Sequence, residues 1–287
     1  MQDYISIQGG KIASYMDGAG TPILCLHGGP GDTHHYMRRM IQPLCDQFQF
    51  INYDQRGTGG SVLEVKDEST LYVERFFDDI LRIKDAYDLG KLTLLGHSWG
   101  AILALLFNAN YPEHVKALGL ISMGPINPDN EKIYAQRLMS VFSEAEKIEW
   151  QRLRQNRKTA LAQEDMQAVL DLDKRLMALR VKSWVFIPDK RQAFLDEYFQ
   201  DPPPDREVNK HVWASAQNAL KDMQVDHIKT PVWICYGERD CAPIYQAEEL
   251  DAVLPKVEID FIPNCGHIPW LDQPDPFLIG CNRFYSA

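Results

Sequence analysis

Short apolar runs alternate along the chain with longer segments whose apolar residues recur at helical spacing. An apolar run of four to eight residues between glycine, proline or polar residues is typical of a buried strand. A hairpin around Gly9-Gly10, with strands 4–7 and 12–16, precedes these runs. The predicted strands are 22–26, 48–53, 92–95, 115–121, 231–236 and 257–262.

Helical spacing of apolar residues separates most of these strands. This spacing is clearest over residues 72–89, which predicts a helix that ends before Gly90. Further helices are predicted over 101–109, 244–253 and 274–285. Strands that alternate with helices predict an α/β fold, with a mostly parallel sheet covered by helices on both faces.

The pattern changes between residues 125 and 223, which are charged, aromatic and helix-like. We therefore predict that residues 1–124 and 224–287 form the α/β core and that 125–223 is a helical insertion. A chain of 287 residues is long enough for one large domain with such an insertion.

Composition narrows the possible partners. The net charge of −10 disfavours nucleic acid and anionic membranes as partners. Six cysteines without a Cys-x-x-Cys pair argue against a zinc site and for reduced core residues. The N-terminal residues lack the pattern of a signal peptide, and no apolar run approaches 18 residues, so a cytoplasmic enzyme is expected.

Gly96-His97-Ser98-Trp99-Gly100 stands between a predicted strand and a predicted helix. A Gly-x-Ser-x-Gly match can arise by chance, but the strand–turn–helix context is that of a nucleophile elbow. Glycine at both ends avoids a Cβ where strand and helix approach closely. We therefore predict that Ser98 is a nucleophile.

Two residues at the ends of later strands can activate this serine. Asp240 follows strand 231–236 and His267 follows strand 257–262, which gives the chain order Ser, Asp, His. The alternatives are a helix N-cap for Asp240 and a hydrogen-bonded loop histidine for His267. His97 is expected to point away from the serine, and His34-His35 to be a solvated pair in a loop.

Acyl transfer also needs N–H donors for the developing oxyanion. The Trp99 amide is one candidate, and Gly29 in His27-Gly28-Gly29-Pro30-Gly31 is the other. A phosphate-binding loop is the alternative for this glycine cluster, but its spacing matches neither common phosphate motif.

Together with Asp54-Gln55-Arg56-Gly57, these motifs resemble the proline iminopeptidase family of α/β hydrolases over roughly 1–123 and 226–287. The resemblance implies a Ser98–Asp240–His267 triad, a helical cap over the site and no metal or organic cofactor. Asp54 and Arg56 match family positions, and we interpret them as an ion pair that holds a loop.

The insertion departs from this family. Proline iminopeptidases hold the substrate ammonium with glutamates; one subgroup has Glu directly after the triad aspartate, where this chain has Cys241. Glu197, beside Tyr198 and Phe199, is the predicted ammonium ligand, although most acidic residues of the insertion are expected to form a solvated helical face. Trp184 and Trp213 are predicted walls of the substrate pocket, or else they pack within the insertion.

The predicted function is a serine hydrolase that cleaves an amide or ester through an acyl-enzyme, most like a proline iminopeptidase acting on small peptides. A small-molecule carboxylesterase or lactonase is the main alternative. A carbon–carbon bond hydrolase and a non-catalytic ligand receptor are further ones. Epoxide hydrolases and haloalkane dehalogenases resemble this core but carry Asp at the elbow, so Ser98 argues against them.

Overall fold

A computed structural model describes residues 2–287, so residue 1 of the predicted core lies outside the described part. Nine strands form one sheet in the order β1-β2-β4-β3-β6-β7-β8-β9, with β5 paired to β2. The pairs β1–β2, β2–β4 and β2–β5 are antiparallel. The pairs β4–β3, β3–β6, β6–β7, β7–β8 and β8–β9 are parallel. The strands are β1 Gln2–Ile7, β2 Gly10–Gly18, β3 Thr21–Leu26, β4 Phe48–Tyr53, β5 Val62–Leu63, β6 Leu92–His97, β7 Val115–Ile121, β8 Val232–Gly237 and β9 Val257–Ile262.

Helices cover both faces of the sheet, because successive strand residues point to opposite faces. Ile23 and Cys25 of β3 pack with one apolar cluster, which includes the first and last helices, while Leu24 and Leu26 pack with the other. The helices are α1 His35–Ile41, α2 Val73–Ala86, α3 Trp99–Asn110, α4 Pro128–Ser140, α5 Glu144–Ala162, α6 Met166–Trp184, α7 Arg191–Tyr198, α8 Arg206–Asp222, α9 Gln246–Asp251, α10 Pro269–Asp272 and α11 Pro274–Tyr285. The predicted α/β class is confirmed.

Strands 48–53, 115–121 and 257–262 and helix 274–285 have the predicted bounds. The predicted solvated loop at His34-His35 is wrong. His34 is only 2% exposed, and His35 begins α1, whose buried residues are Met37, Met40 and Ile41. A helix of seven residues is too short to produce a clear periodic signal in the sequence.

The predicted ion pair between Asp54 and Arg56 is also wrong. Asp54 Oδ1 accepts hydrogen bonds from His34 Nδ1 at 2.8 Å and from the His34 N–H at 3.0 Å. Arg56 instead donates from Nε to Asp79 of α2 at 2.8 Å. The two side chains thus pair with different segments, Asp54 with the residue before α1 and Arg56 with α2. Burial opposes ionisation of Asp54, but the hydrogen bonds from His34 and Gly60 lower its pKa to about 2.

Helices α4 to α8, called the cap helices below, lie between β7 and β8 in the chain. They contact the loops at the carboxyl ends of the strands. Asn209 of α8 donates to the Pro30 carbonyl at 2.8 Å, and Arg137 of α4 donates from Nε to the Asp240 carbonyl at 2.7 Å. Val208 and Val212 of α8 pack into the core cluster itself. A cap domain with the bounds 125–223 stays a prediction.

Among residues 2–287, no helix combines the length and the apolar character that crossing a bilayer requires.

Candidate active site

Ser98 occupies the turn between β6 and α3, with φ +55° and ψ −115°. A positive φ is costly for serine and persists only where the surroundings enforce it. Here glycines allow it: a Cβ on Gly96 would lie 2.6 Å from Ala101 N, and one on Gly100 would lie 2.5 Å from the Leu26 carbonyl carbon. Every other residue from 92 to 108 is buried, so the turn exposes Ser98 alone.

His267 and Asp240 meet Ser98 at the carboxyl edge of the sheet. His267 Nε2 lies 3.1 Å from Ser98 Oγ, and His267 Nδ1 lies 2.8 Å from Asp240 Oδ1. The Ala242 N–H also donates to Asp240 Oδ1, at 2.8 Å. Burial alone would raise the pKa of Asp240, but the charge and hydrogen bond of His267 outweigh it and lower that pKa. These interactions favour the ionised Asp240 carboxylate, which is hydrogen-bonded to the imidazole.

The two predicted oxyanion donors are the backbone N–H groups of Trp99 and Gly29, and neither has a hydrogen-bond acceptor among residues 2–287. Trp99 is the first residue of α3, so its N–H has no acceptor within the helix. Gly29 is exposed and has φ +114°, a conformation that favours glycine. The neighbouring Gly28 is buried against Ser98, but its N–H donates to the Tyr36 hydroxyl at 2.5 Å.

His97 connects this loop to His267 without contacting the Ser98 hydroxyl. Its Nε2 lies 3.1 Å from the His267 carbonyl, and its Nδ1 lies 3.0 Å from the Tyr36 hydroxyl. A carbonyl can only accept, so Nε2 carries the proton and Nδ1 accepts from Tyr36. Burial and the charge of His267 lower the pKa of His97 to about 3, which keeps the ring neutral. As predicted, His97 points away from the serine.

The structure brings the two predicted tryptophans near the site. The Trp184 ring centroid lies 5.6 Å from that of His267, and the Trp184 carbonyl accepts from the His267 N–H at 2.7 Å. Trp213 meets Trp99 edge to face at 5.6 Å. Glu197 is placed differently: its side chain is 53% exposed, and it forms a salt bridge with Arg39 Nε at 3.0 Å.

Asp272 is a buried contributor that the sequence analysis missed. Its carboxylate accepts from the Gly266 N–H at 2.8 Å, the Phe186 N–H at 2.9 Å and the Ile187 N–H at 3.0 Å. It thus joins the His267 loop to the segment after α6. No local sequence motif predicts this role of Asp272, because its three partners come from two other parts of the chain.

A metal site is geometrically conceivable beside the triad residues. One potential ligand atom from each of Asp240, Cys241 and His267 lies within 4.8 Å of the others. Metal binding by cysteine needs the thiolate, but burial raises the pKa of the Cys241 thiol. Both His267 nitrogens already have partners in Ser98 and Asp240. We therefore assign no metal to this cluster.

Comparison with known proteins agrees with this architecture. Residues 21–274 match the model of the alpha/beta hydrolase fold family. A proline iminopeptidase of Heyndrickxia coagulans is 24% identical over 100% of this chain and 99% of its own length. The proline iminopeptidase-related protein of Thermus thermophilus is similar with a TM-score of 0.72, at 23% identity over 100% of this chain and 97% of its own. An esterase of Exiguobacterium antarcticum has a TM-score of 0.73, at 19% identity over 100% of each chain. This chain belongs to the α/β hydrolase fold family.

Proposed function

We propose that this protein is a serine hydrolase that cleaves small esters or amides through an acyl-enzyme. The observation that carries the proposal is the hydrogen-bonded chain from Ser98 Oγ through His267 to Asp240. His267 Nε2 takes the Ser98 proton as Oγ attacks the substrate carbonyl, and Asp240 stabilises the resulting imidazolium. His267 then returns the proton to the leaving alcohol or amine, and water hydrolyses the acyl-enzyme by the same steps.

The Trp99 and Gly29 N–H groups are the proposed oxyanion donors. Gly28 lies nearer to Ser98 but is already hydrogen-bonded to Tyr36, which leaves Gly29 as the donor from this loop. The N-terminus of α3 adds its partial positive charge at the same point. Donors held rigidly in this way stabilise charge that develops only in the transition state.

Covalent labelling tests the nucleophile. A fluorophosphonate probe should label the wild type at Ser98, and Ser98→Ala should lose both labelling and nearly all ester turnover. The remaining rate should be only about 10³–10⁴ over water, from binding and the oxyanion donors. Ser140→Ala, an alanine substitution in α4, is the control and should label normally. Labelling that survives Ser98→Ala would overturn the assignment.

Two substrate classes remain as candidates within this mechanism. Release of N-terminal residues is supported by the proline iminopeptidases that match nearly the full chain. That activity needs a carboxylate for the substrate ammonium, because a free ammonium that enters a closed site loses its hydration. The predicted ligand Glu197 is half exposed and paired with Arg39, which favours hydrolysis of a small ester or lactone.

A substrate panel separates the two classes. Free and N-blocked anilides of proline, alanine and leucine should be assayed beside short-chain nitrophenyl esters, with wild type and Glu197→Gln. A loss of roughly 1.5–3 kcal/mol in transition-state binding, confined to free amines, would support the aminopeptidase. Glu144→Gln, which removes an exposed carboxylate of α5, is the matched control. Ester turnover without anilide turnover would contradict the aminopeptidase function.

A cytoplasmic location stays a prediction.

A further inference from the structure

Arg180, near the end of α6, lies one aromatic ring away from the proposed catalytic base. Its guanidinium carbon is 5.6 Å from the ring centroids of both Trp150 and Trp184. Trp184 in turn lies 5.6 Å from the His267 ring. Stacking of a guanidinium on aromatic rings is favourable and restricts its orientation.

Arg180 differs from its neighbours in having no counter-ion. Arg157 and Arg206 form salt bridges with Asp173, and Arg175 forms one with Glu149. Within residues 2–287 no carboxylate pairs with Arg180, and its Nε is buried without a hydrogen-bond acceptor. A guanidinium offers five N–H donors, and a buried donor left unpaired costs free energy. This position therefore suits an anionic ligand.

Arg180 lies where the cap helices meet the loop after β8, because the two tryptophans that stack on it share an apolar cluster with Tyr134 of α4 and with Cys241. Burial raises the pKa values of Tyr134 on α4, Tyr198 on α7 and Cys241 after Asp240, and the charge of Arg180 opposes this rise in all three. Groups from separate segments therefore surround one guanidinium.

Asp32, just after the Gly29 loop, is an acidic group whose pKa responds to the charge of Arg180. Burial raises the pKa of Asp32 to about 6, while Arg180 lowers it and Asp201 raises it. Asp201 and Glu197 are themselves paired with Arg39. Asp32 thus only partly offsets the positive charge of Arg180, and it makes no salt bridge with it.

We propose that Arg180 binds a carboxylate of the substrate, so that this hydrolase prefers anionic esters or amides over those with a free ammonium. The inference rests on the proposed serine hydrolase function and names the substrate class of that same site. A guanidinium binds a carboxylate through two parallel hydrogen bonds, which would satisfy the unpaired donors. The same charge repels an ammonium.

Three matched nitrophenyl esters test this preference. The acyl groups are glutarate, pentanoate and 5-aminopentanoate, which are anionic, neutral and cationic at similar length. The wild type should have the highest kcat/KM on the glutarate ester. Arg180→Met should lower the glutarate-to-pentanoate ratio by roughly 10- to 150-fold, as expected for a charged hydrogen bond.

Two further variants sharpen the test. Arg175→Met removes an exposed guanidinium from the same helix and should leave the ratio unchanged. Asp32→Asn removes the opposing negative charge and should raise the ratio, opposite to Arg180→Met. Equal ratios in wild type and Arg180→Met would overturn the inference, as would a wild-type preference for the cationic ester.

The two proposals fail in distinguishable ways. If no ester is cleaved and Ser98 is not labelled, the serine hydrolase function itself fails. If Ser98 cleaves the pentanoate ester but the glutarate ester is not preferred, only the role of Arg180 fails. Inhibition of pentanoate ester hydrolysis in the wild type needs no variant. Stronger inhibition by the anion pentanoate than by the neutral pentanamide supports the inference, and equal inhibition contradicts it.

Discussion

At the residue scale, hydrogen bonds link the oxyanion loop to the base through His97. The Gly28 N–H donates to Tyr36, Tyr36 donates to His97, and His97 donates to the His267 carbonyl. This direction requires a neutral imidazole, because a protonated His97 could not accept from Tyr36. His97 can therefore form both hydrogen bonds, with Tyr36 and with the His267 carbonyl, only when its imidazole is uncharged.

The neutral state of His97 should appear in the pH dependence of stability. Its pKa is about 3 in the folded protein against an ordinary 6.5, so the unfolded chain binds one more proton between these values. The free energy of unfolding should therefore rise with pH across this window and fall on acidification. In His97→Gln the slope between about pH 4 and pH 6 should decrease by up to about 1.4 kcal/mol per pH unit.

Urea unfolding at several pH values measures this slope for both proteins. His27, whose pKa burial lowers to about 4, contributes a similar slope that remains in the variant. The same slope in wild type and His97→Gln would contradict a neutral His97. The comparison does not depend on the absolute stability of the variant.

At the element scale, the position of the nucleophile depends on how closely α3 approaches β3. Gly100 lies against the Leu26 backbone, where a Cβ would find no side chain that could move aside. The contact also sets the distance between the Trp99 N–H on α3 and the loop that follows β3. Local sequence predicts this junction well, because strand, turn and helix are contiguous.

Gly100→Ala should therefore reduce both stability and the rate of fluorophosphonate labelling. Overpacking typically costs about 1–3 kcal/mol, and here the opposing atoms belong to the backbone. Gly90→Ala is the control, since a Cβ there meets no atom within 4 Å. Thermal unfolding and the labelling rate should fall together in Gly100→Ala and stay near wild type in Gly90→Ala. If Gly100→Ala is destabilised but is labelled at the normal rate, the packing contact does not determine the geometry of the site.

At the scale of the whole molecule, Asp272 holds the cap helices and the His267 loop together. One buried carboxylate accepts three backbone N–H groups from residues on both sides of this boundary. Removing the carboxylate leaves those donors unpaired in a buried place. The Asp272 carboxylate thus joins the segment after α6 to the loop that carries the proposed base.

Asp272→Ala should lower the free energy of unfolding by roughly 1–3 kcal/mol for each N–H left unpaired. It should also increase proteolysis between α6 and α7 and reduce kcat, because the His267 loop loses support. Asp189→Ala removes an exposed acid from the turn before α7 and should change stability by less than about 0.5 kcal/mol. Unchanged proteolysis in Asp272→Ala would show that the cap is held by other contacts.

Much of the fold and the site could be predicted because the relevant signals are local or follow from sheet topology. Strand ends of a parallel sheet meet at one edge, so Asp240 and His267 were expected near Ser98, and the structure places His267 within hydrogen-bond distance of both. Helix α1 was missed because seven residues give too little periodicity. Asp272 was missed because two of its three partners, Phe186 and Ile187, are remote in the chain.

The sequence by itself determined the alternation of strands and helices, the exposed turn at Ser98 and the order of the three proposed catalytic residues. These follow from side-chain periodicity and from glycines where a Cβ does not fit. Only the tertiary structure decided how charges pair: Asp54 with His34, Glu197 with Arg39, and Arg180 with no carboxylate among residues 2–287. The physical reason is that pairing depends on distances between segments far apart in the chain, and no local pattern encodes those distances.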